Sequence, residues 1–151
     1  MSATPLFDAM LAFFNEDGWN VVQIEGTTRL ATRFAGKHGE FHCQATAEEE
    51  DHVFVFHVVA DVDADKARLI EFLTRANFGL YLGNFEMDVD STEVRFKTGL
   101  DVEGDRLSSA LVRNAVFSAC LTMDRHWPAL KALVEGATVD GALATLAATD
   151  S

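Results

Sequence analysis

His42 and His57 are the residues with the most obvious chemical potential. Each lies in an alternating run, Glu40 to Ala47 and Val53 to Ala60, and the acidic turn Glu48-Glu49-Glu50-Asp51 between them predicts a hairpin. Centring that hairpin on its turn sets His42 directly opposite His57, with Arg33 continuing the row on the preceding strand. Two imidazoles across a ladder could share a transition metal. A catalytic zinc site wants three protein ligands, however, and a guanidinium beside the pair repels a cation. The row therefore reads either as a polar contact surface or as a metal- or small-molecule-sensing pair. Val53, Val55 and Val59 fall on the same face, so Arg33, His42, Val53, Val55, His57 and Val59 together form the candidate interaction face. A strand apolar on both sides needs its outer face covered, by a helix or by a second subunit.

Other chemistry is harder to assemble. Asp61-Val62-Asp63-Ala64-Asp65 begins like a calcium loop, but the positions that demand Gly and a bidentate Glu hold Lys66 and Phe72. Asp63 reads better as the N-cap of a helix, with Asp65 favouring its positive end. No Gly-x-Ser-x-Gly elbow and no glycine-rich phosphate loop occurs. Ser108 and Ser109 open a helix, where capping accounts for them. Cys43 and Cys120 both fall on apolar faces and behave as small hydrophobes. Glu86, Asp88 and Asp90 alternate outward on a strand and read as a solvated row. No catalytic residue, cofactor or metal is assigned, and the chain reads as a non-enzyme.

A net charge of −12 repels phosphate backbones and anionic lipid, which argues against nucleic acid and membrane surfaces and suits a basic protein partner. With 12 Phe against 2 Trp and 1 Tyr, the aromatics favour core filling over polar recognition. No apolar run reaches the ~18–20 residues that span a bilayer, and Met1 to Asp17 lacks the basic start of a signal peptide. Two cysteines without metal or redox spacing fit the cytoplasm.

The elements that must position the face follow from periodicity. Thr4-Pro5 opens a first helix carrying Leu6, Met10, Phe13 and Phe14, and a short strand is possible near 21–24. Arg29 to Ala35, Glu40 to Ala47 and Val53 to Ala60 are strands, and the Gly36-Lys37-His38-Gly39 hairpin pairs Phe34 with Phe41 and Thr32 with Cys43. The acidic turn pairs Cys43 with Phe56 and Phe41 with Val58. A second helix buries Ala67, Leu69, Ile70, Leu73 and Ala76. A second hairpin follows, with Phe85, Met87 and Val89 facing Val94, Phe96, Thr98 and Leu100. A long third helix runs from about Leu107 to Val134 on a stripe of Leu111, Val112, Val116, Cys120, Met123, Trp127, Leu130 and Val134, with Pro128 expected to kink or break it. The expectation is a single α+β domain over 1–136, in the order α-β-β-β-α-β-β-α, its mostly antiparallel sheet covered by helices on one face. An Ala-rich tail or marginal helix occupies 137–151.

From Asp63 to Gly136 the chain resembles the YbjN-like family of bacterial sensory transduction regulators. The resemblance rests on an Asn-containing helix end before Gly83-Asn84-Phe85-Glu86-Met87-Asp88, then Val94-Arg95-Phe96-Lys97 and Leu100-Asp101-Val102-Glu103. A long helix then reaches Asp124-Arg125-His126-Trp127-Pro128-Ala129-Leu130 and closes at Gly136. The first half matches by element order alone. The family is similar in architecture to type III secretion chaperones, small acidic proteins that dimerise and hold partner segments. The resemblance therefore implies a homodimer that binds a protein partner, and it offers no catalytic residue to carry over.

Overall fold

The computed structural model describes residues 2–149. Helix α1 (Pro5–Glu16) starts at a proline whose missing N–H costs nothing at that position, and it turns Leu6, Phe7, Met10, Phe13 and Phe14 inward. Thr4 occupies the N-cap position without capping, because its hydroxyl donates to Asp8 instead. The exposed helix N–H groups go to Glu49, 43 residues away in sequence. Its Oε1 accepts from Leu6 N at 3.1 Å and its Oε2 from Phe7 N at 2.8 Å, which places a carboxylate against the positive end of the helix dipole.

The strands are β1 (Val22–Gln23), β2 (Arg29–Ala35), β3 (Glu40–Glu48), β4 (Val53–Asp61), β5 (Asn84–Met87) and β6 (Glu93–Asp101). They form one sheet in the order β1-β2-β3-β4-β6-β5, antiparallel at every junction. Helix α2 (Lys66–Phe78) links β4 to β5, and α3 (Ser109–Val134) and α4 (Val139–Ala148) follow the sheet. One cluster of buried side chains draws on all four helices and one face of the sheet. Phe14, Phe54, Phe56, Phe72 and Phe96 lie fully buried at its centre. Each contributes about 1.5–3 kcal/mol through burial, and this phenylalanine-built core is what the composition predicts. The architecture is the expected α+β one, with helices on one side of an antiparallel sheet.

Several local expectations need correction. Thr32 pairs with Cys43 and Phe34 with Phe41 as the first hairpin predicts. In the second hairpin Cys43 pairs with Val58 and Ala45 with Phe56, a slip of two residues from the symmetrical turn. The turn is displaced because β3 continues to Glu48 and His52 takes a left-handed conformation at φ 56°. A slip of two preserves the faces and changes only the partners.

Asp65, not Asp63, caps α2, accepting from Arg68 N at 3.1 Å. Ile70 and Ala67 point to solvent while Phe72 fills the core. Val89 lies beyond the end of β5 and is exposed. Helix α3 runs unbroken through Pro128, capped by Ser108, which accepts from Leu111 N. Its buried side mixes Ala115, Ala119 and Ala129 with Val112, Val116, Met123 and Leu130, and Leu111 and Val134 face outward.

Candidate functional site

The face of the sheet opposite the helices carries the candidate residues, and all six lie there. Across the strands Arg33 pairs with His42, His42 with Val59, and Val59 with Arg95. The neighbouring row sets Gln44 against His57 and His57 against Lys97. His42 and His57 are therefore diagonal neighbours rather than opposite each other, and the cross-strand pair required for shared metal ligation does not form. Among the described residues no three His, Cys, Asp or Glu side chains gather as a metal site. Val53, Val55, His57 and Val59 are half-buried by their own neighbours, whereas Arg33 and His42 are exposed.

His57 is the unusual member. Both of its ring nitrogens are shielded from water, and neither has a hydrogen-bond partner. Burial, helped by the nearby Arg95, Lys97 and Arg29 and opposed by Glu86, lowers its pKa to about 4. The ring is thus neutral at physiological pH, a desolvated polar group in the middle of a valine surface. Beside it Glu86 accepts from Arg95 Nε and Lys97 Nζ, each at 2.8 Å. Partial burial raises the Glu86 pKa, but these two cations outweigh that effect and hold it below the usual carboxylate range. Glu86 is therefore an ion-paired group and not the solvated acid its alternation suggests.

At the β2 margin the face runs into a groove of about 670 Å³ lined by Trp19, Val22, Arg33, Phe34, Glu40 and His42. It exists because β1 spans only two residues against the seven of β2, leaving the far end of β2 without a neighbouring strand. The hydroxyl of Thr32 donates to Asn20 O at 2.7 Å and holds the chain where it leaves the sheet. Trp19 stacks on Phe34 with centroids 6.2 Å apart, forming the apolar wall.

Three polar residues with large structural roles escaped the sequence reading. Asp124, buried in α3, accepts from the backbone N–H groups of Lys37, His38 and Gly39 at 2.8–3.1 Å. A Cβ on Gly36 would collide with its carboxylate. Glu49 caps α1. The Asn77 amide accepts from Phe85 N at 2.7 Å and donates to Phe85 O at 3.1 Å, occupying the outer edge of β5. Only the glycines flanking Lys37-His38 hinted at any of these contacts.

A model of the YbjN family, described as a putative bacterial sensory transduction regulator, matches residues 7–132. The chain belongs to the YbjN family. That span takes in the outer face, the groove and the Asn77 clamp. No curated protein sequence matches the chain. Among solved structures, YbjN from E. coli, called a putative transcription regulator, superposes with a TM-score of 0.58 at 11% identity, over 89% of this chain and 93% of that one. The ExsC–ExsE complex gives a TM-score of 0.65 at 12% identity, over 88% and 97%. The HopA1–SchA chaperone–effector complex gives 0.55 at 11% identity, over 90% and 99%. At these identities the likeness establishes the shared YbjN and secretion-chaperone fold. No helix among the described residues is long and apolar enough to cross a membrane.

Proposed function

We propose that this YbjN-family chain is a non-enzymatic protein-interaction module, chaperone-like or regulatory, that works as a cytoplasmic homodimer and holds a segment of another protein. The carrying observation is the uncovered outer face of the sheet. All four helices pack on the other side, and the bare side presents Val53, Val55 and Val59 around a desolvated His57 whose nitrogens bond to nothing. A partner laid across this face would bury the half-exposed valines. The adjoining groove at Trp19 and Phe34 extends the same surface. The similarity to folds solved as chaperone–effector complexes supports the reading. One continuous core from Leu6 to Ala142 supports a single folded unit.

The test is affinity capture from native lysate with the wild type and Val55→Glu. The wild type should retain a stoichiometric protein that the variant loses while its circular dichroism stays unchanged. Equal retention by both, or no protein retained by the wild type, would count against the outer face as the binding surface.

A further inference from the structure

A net charge of −12 suits a basic partner, but the middle of the outer sheet face departs from that average. Its three central rows run from β2 across β3 and β4 to β6. They are Arg29–Thr46–Val55–Gly99, Ala31–Gln44–His57–Lys97 and Arg33–His42–Val59–Arg95. The cations therefore stand in two columns, Arg29 and Arg33 on β2 and Arg95 and Lys97 on β6. Between them lies a floor of β3 and β4 side chains, none of which is an acid in these rows. Three strand spacings separate the columns, about 14 Å from backbone to backbone. The face is thus a trough with an apolar and neutral floor and positive walls.

We propose that this trough seats an acidic amphipathic helix of a partner protein, its apolar side on Val55 and Val59 and its carboxylates toward both columns. The inference rests on the outer-face reading above and adds the chemistry of the partner. Charge is the first argument. Glu86 on β5 pairs with both Arg95 and Lys97, which leaves one positive charge over. Arg33 is paired with Glu40 at 3.3 Å, and Arg29 belongs to no ion pair among the described residues. The other acids of the face stand at its ends, Glu48 and Asp101 beside Val53, and Asp61 and Glu93 beyond Val59. The charges that act on His57, at the centre of the floor, are three cations and one carboxylate. The field over the floor is therefore positive, on a molecule of strongly negative net charge.

Width and backbone chemistry select a helix. With its side chains a helix is about 10–12 Å across, a fit between columns about 14 Å apart. A strand laid flat on the face would find no backbone partners there, because β3 and β4 are each paired on both sides within the sheet. A helix satisfies its own N–H and C=O groups and needs only side-chain contacts. The acids at the two ends set the length. Val53 to Val59 spans about 20 Å, room for about 13 residues of helix. Those same acids repel carboxylates at the ends, so the partner's Asp and Glu belong in the middle of its helix.

A displayed library of amphipathic helices of that length tests it, with a fixed leucine stripe and flanking positions randomised among Glu, Lys, Gln and Ala. Selection on the immobilised full chain should enrich Glu at the central flanks. The selected peptide should bind Arg29→Glu about tenfold and Lys97→Gln about threefold more weakly, with unchanged circular dichroism of both variants. Enrichment of Lys, of uncharged flanks or of no helix at all would overturn the proposal, as would undiminished binding to both variants. So would binding of the chain to phosphatidylserine vesicles that Arg29→Glu abolishes, since the columns would then serve a lipid surface. Peptides that need Val55 but show no charge preference would sink this inference and leave the outer-face reading standing. Peptides that bind Val55→Glu as well as wild type would sink both.

Discussion

Two glycine-bracketed loops end in opposite ways. The β2–β3 loop, Gly36-Lys37-His38-Gly39, folds around the buried carboxylate of Asp124, and Gly39 lies against the Trp127 ring. The α2–β5 loop, Gly79 to Gly83, is just as firmly placed but turns Phe78, Tyr81 and Leu82 into water. In the first, the chain supplies the partner for its own polar groups. In the second, nothing within the chain covers the apolar ones. The contrast teaches that a rigid loop is not a satisfied loop: one closes on a polar group of its own chain, the other leaves its apolar side chains in water.

Removing the internal partner should give the largest effect. Asp124→Ala strands three backbone donors in a buried place and should cost about 3 kcal/mol or more, a drop of roughly 6–12 °C in melting temperature. A thermal melt followed by circular dichroism checks it, and a shift under 2 °C, about half a kcal/mol, would show the loop to be held by something else. A single substitution placed in each loop sharpens the comparison. Gly36→Ala drives a methyl into the Asp124 carboxylate and should destabilise by about 2 kcal/mol. Gly79→Ala meets only Ala76 O at 3.9 Å, at an ordinary φ of −92°, and should stay within about 0.5 kcal/mol of the wild type. Equal effects in urea unfolding would erase the distinction between the loops.

Acid should have a smaller effect, one that both loops share. The folded pKa of His57 is about 4 against an ordinary value of 6.5, so above pH 6.5 its neutral ring costs no stability. Between about 6.5 and about 4 the unfolded chain alone takes up the proton, and stability falls by about 1 kcal/mol by pH 5.5. His126, whose pKa is lowered by burial despite its bond to Thr122 O, adds in the same direction. Because His57 lies in neither loop, wild type and Gly79→Ala should lose melting temperature in parallel between pH 7 and 5.5. His57→Gln should lose less.

The fold was legible where local pattern and tertiary demand agree. Alternation over Arg29–Ala35 and Glu40–Ala47, joined by a short glycine hairpin, leaves one register that sets Phe34 opposite Phe41 on the core side. The β3–β4 register is shifted because β3 runs on to Glu48 and the turn closes over residues 49–52 with His52 at positive φ, while the Glu49 side chain reaches the N-terminus of α1, 43 residues back, a contact no local rule foresees. The outer face was legible for the same reason the partners within it were not: parity survives a slip of two, while the His42–His57 pairing does not. Asp124 was hidden because an aspartate in a helix looks solvated until the loop that needs it is folded alongside. The Phe78–Leu82 ridge was hidden in the opposite sense, since an apolar residue on a helix is assumed to face inward. Ile70 illustrates the cost of that assumption.

Asn77 has one further consequence. A molecule with an open sheet edge next to an exposed aromatic corner has what it needs to add copies without end, each new strand extending the last into a fibre. A single carboxamide lying along β5 takes up the N–H and C=O of Phe85 and blocks strand addition at that rung. The sheet is thereby closed at one margin by a side chain, while the far end of β2 stays open at the other.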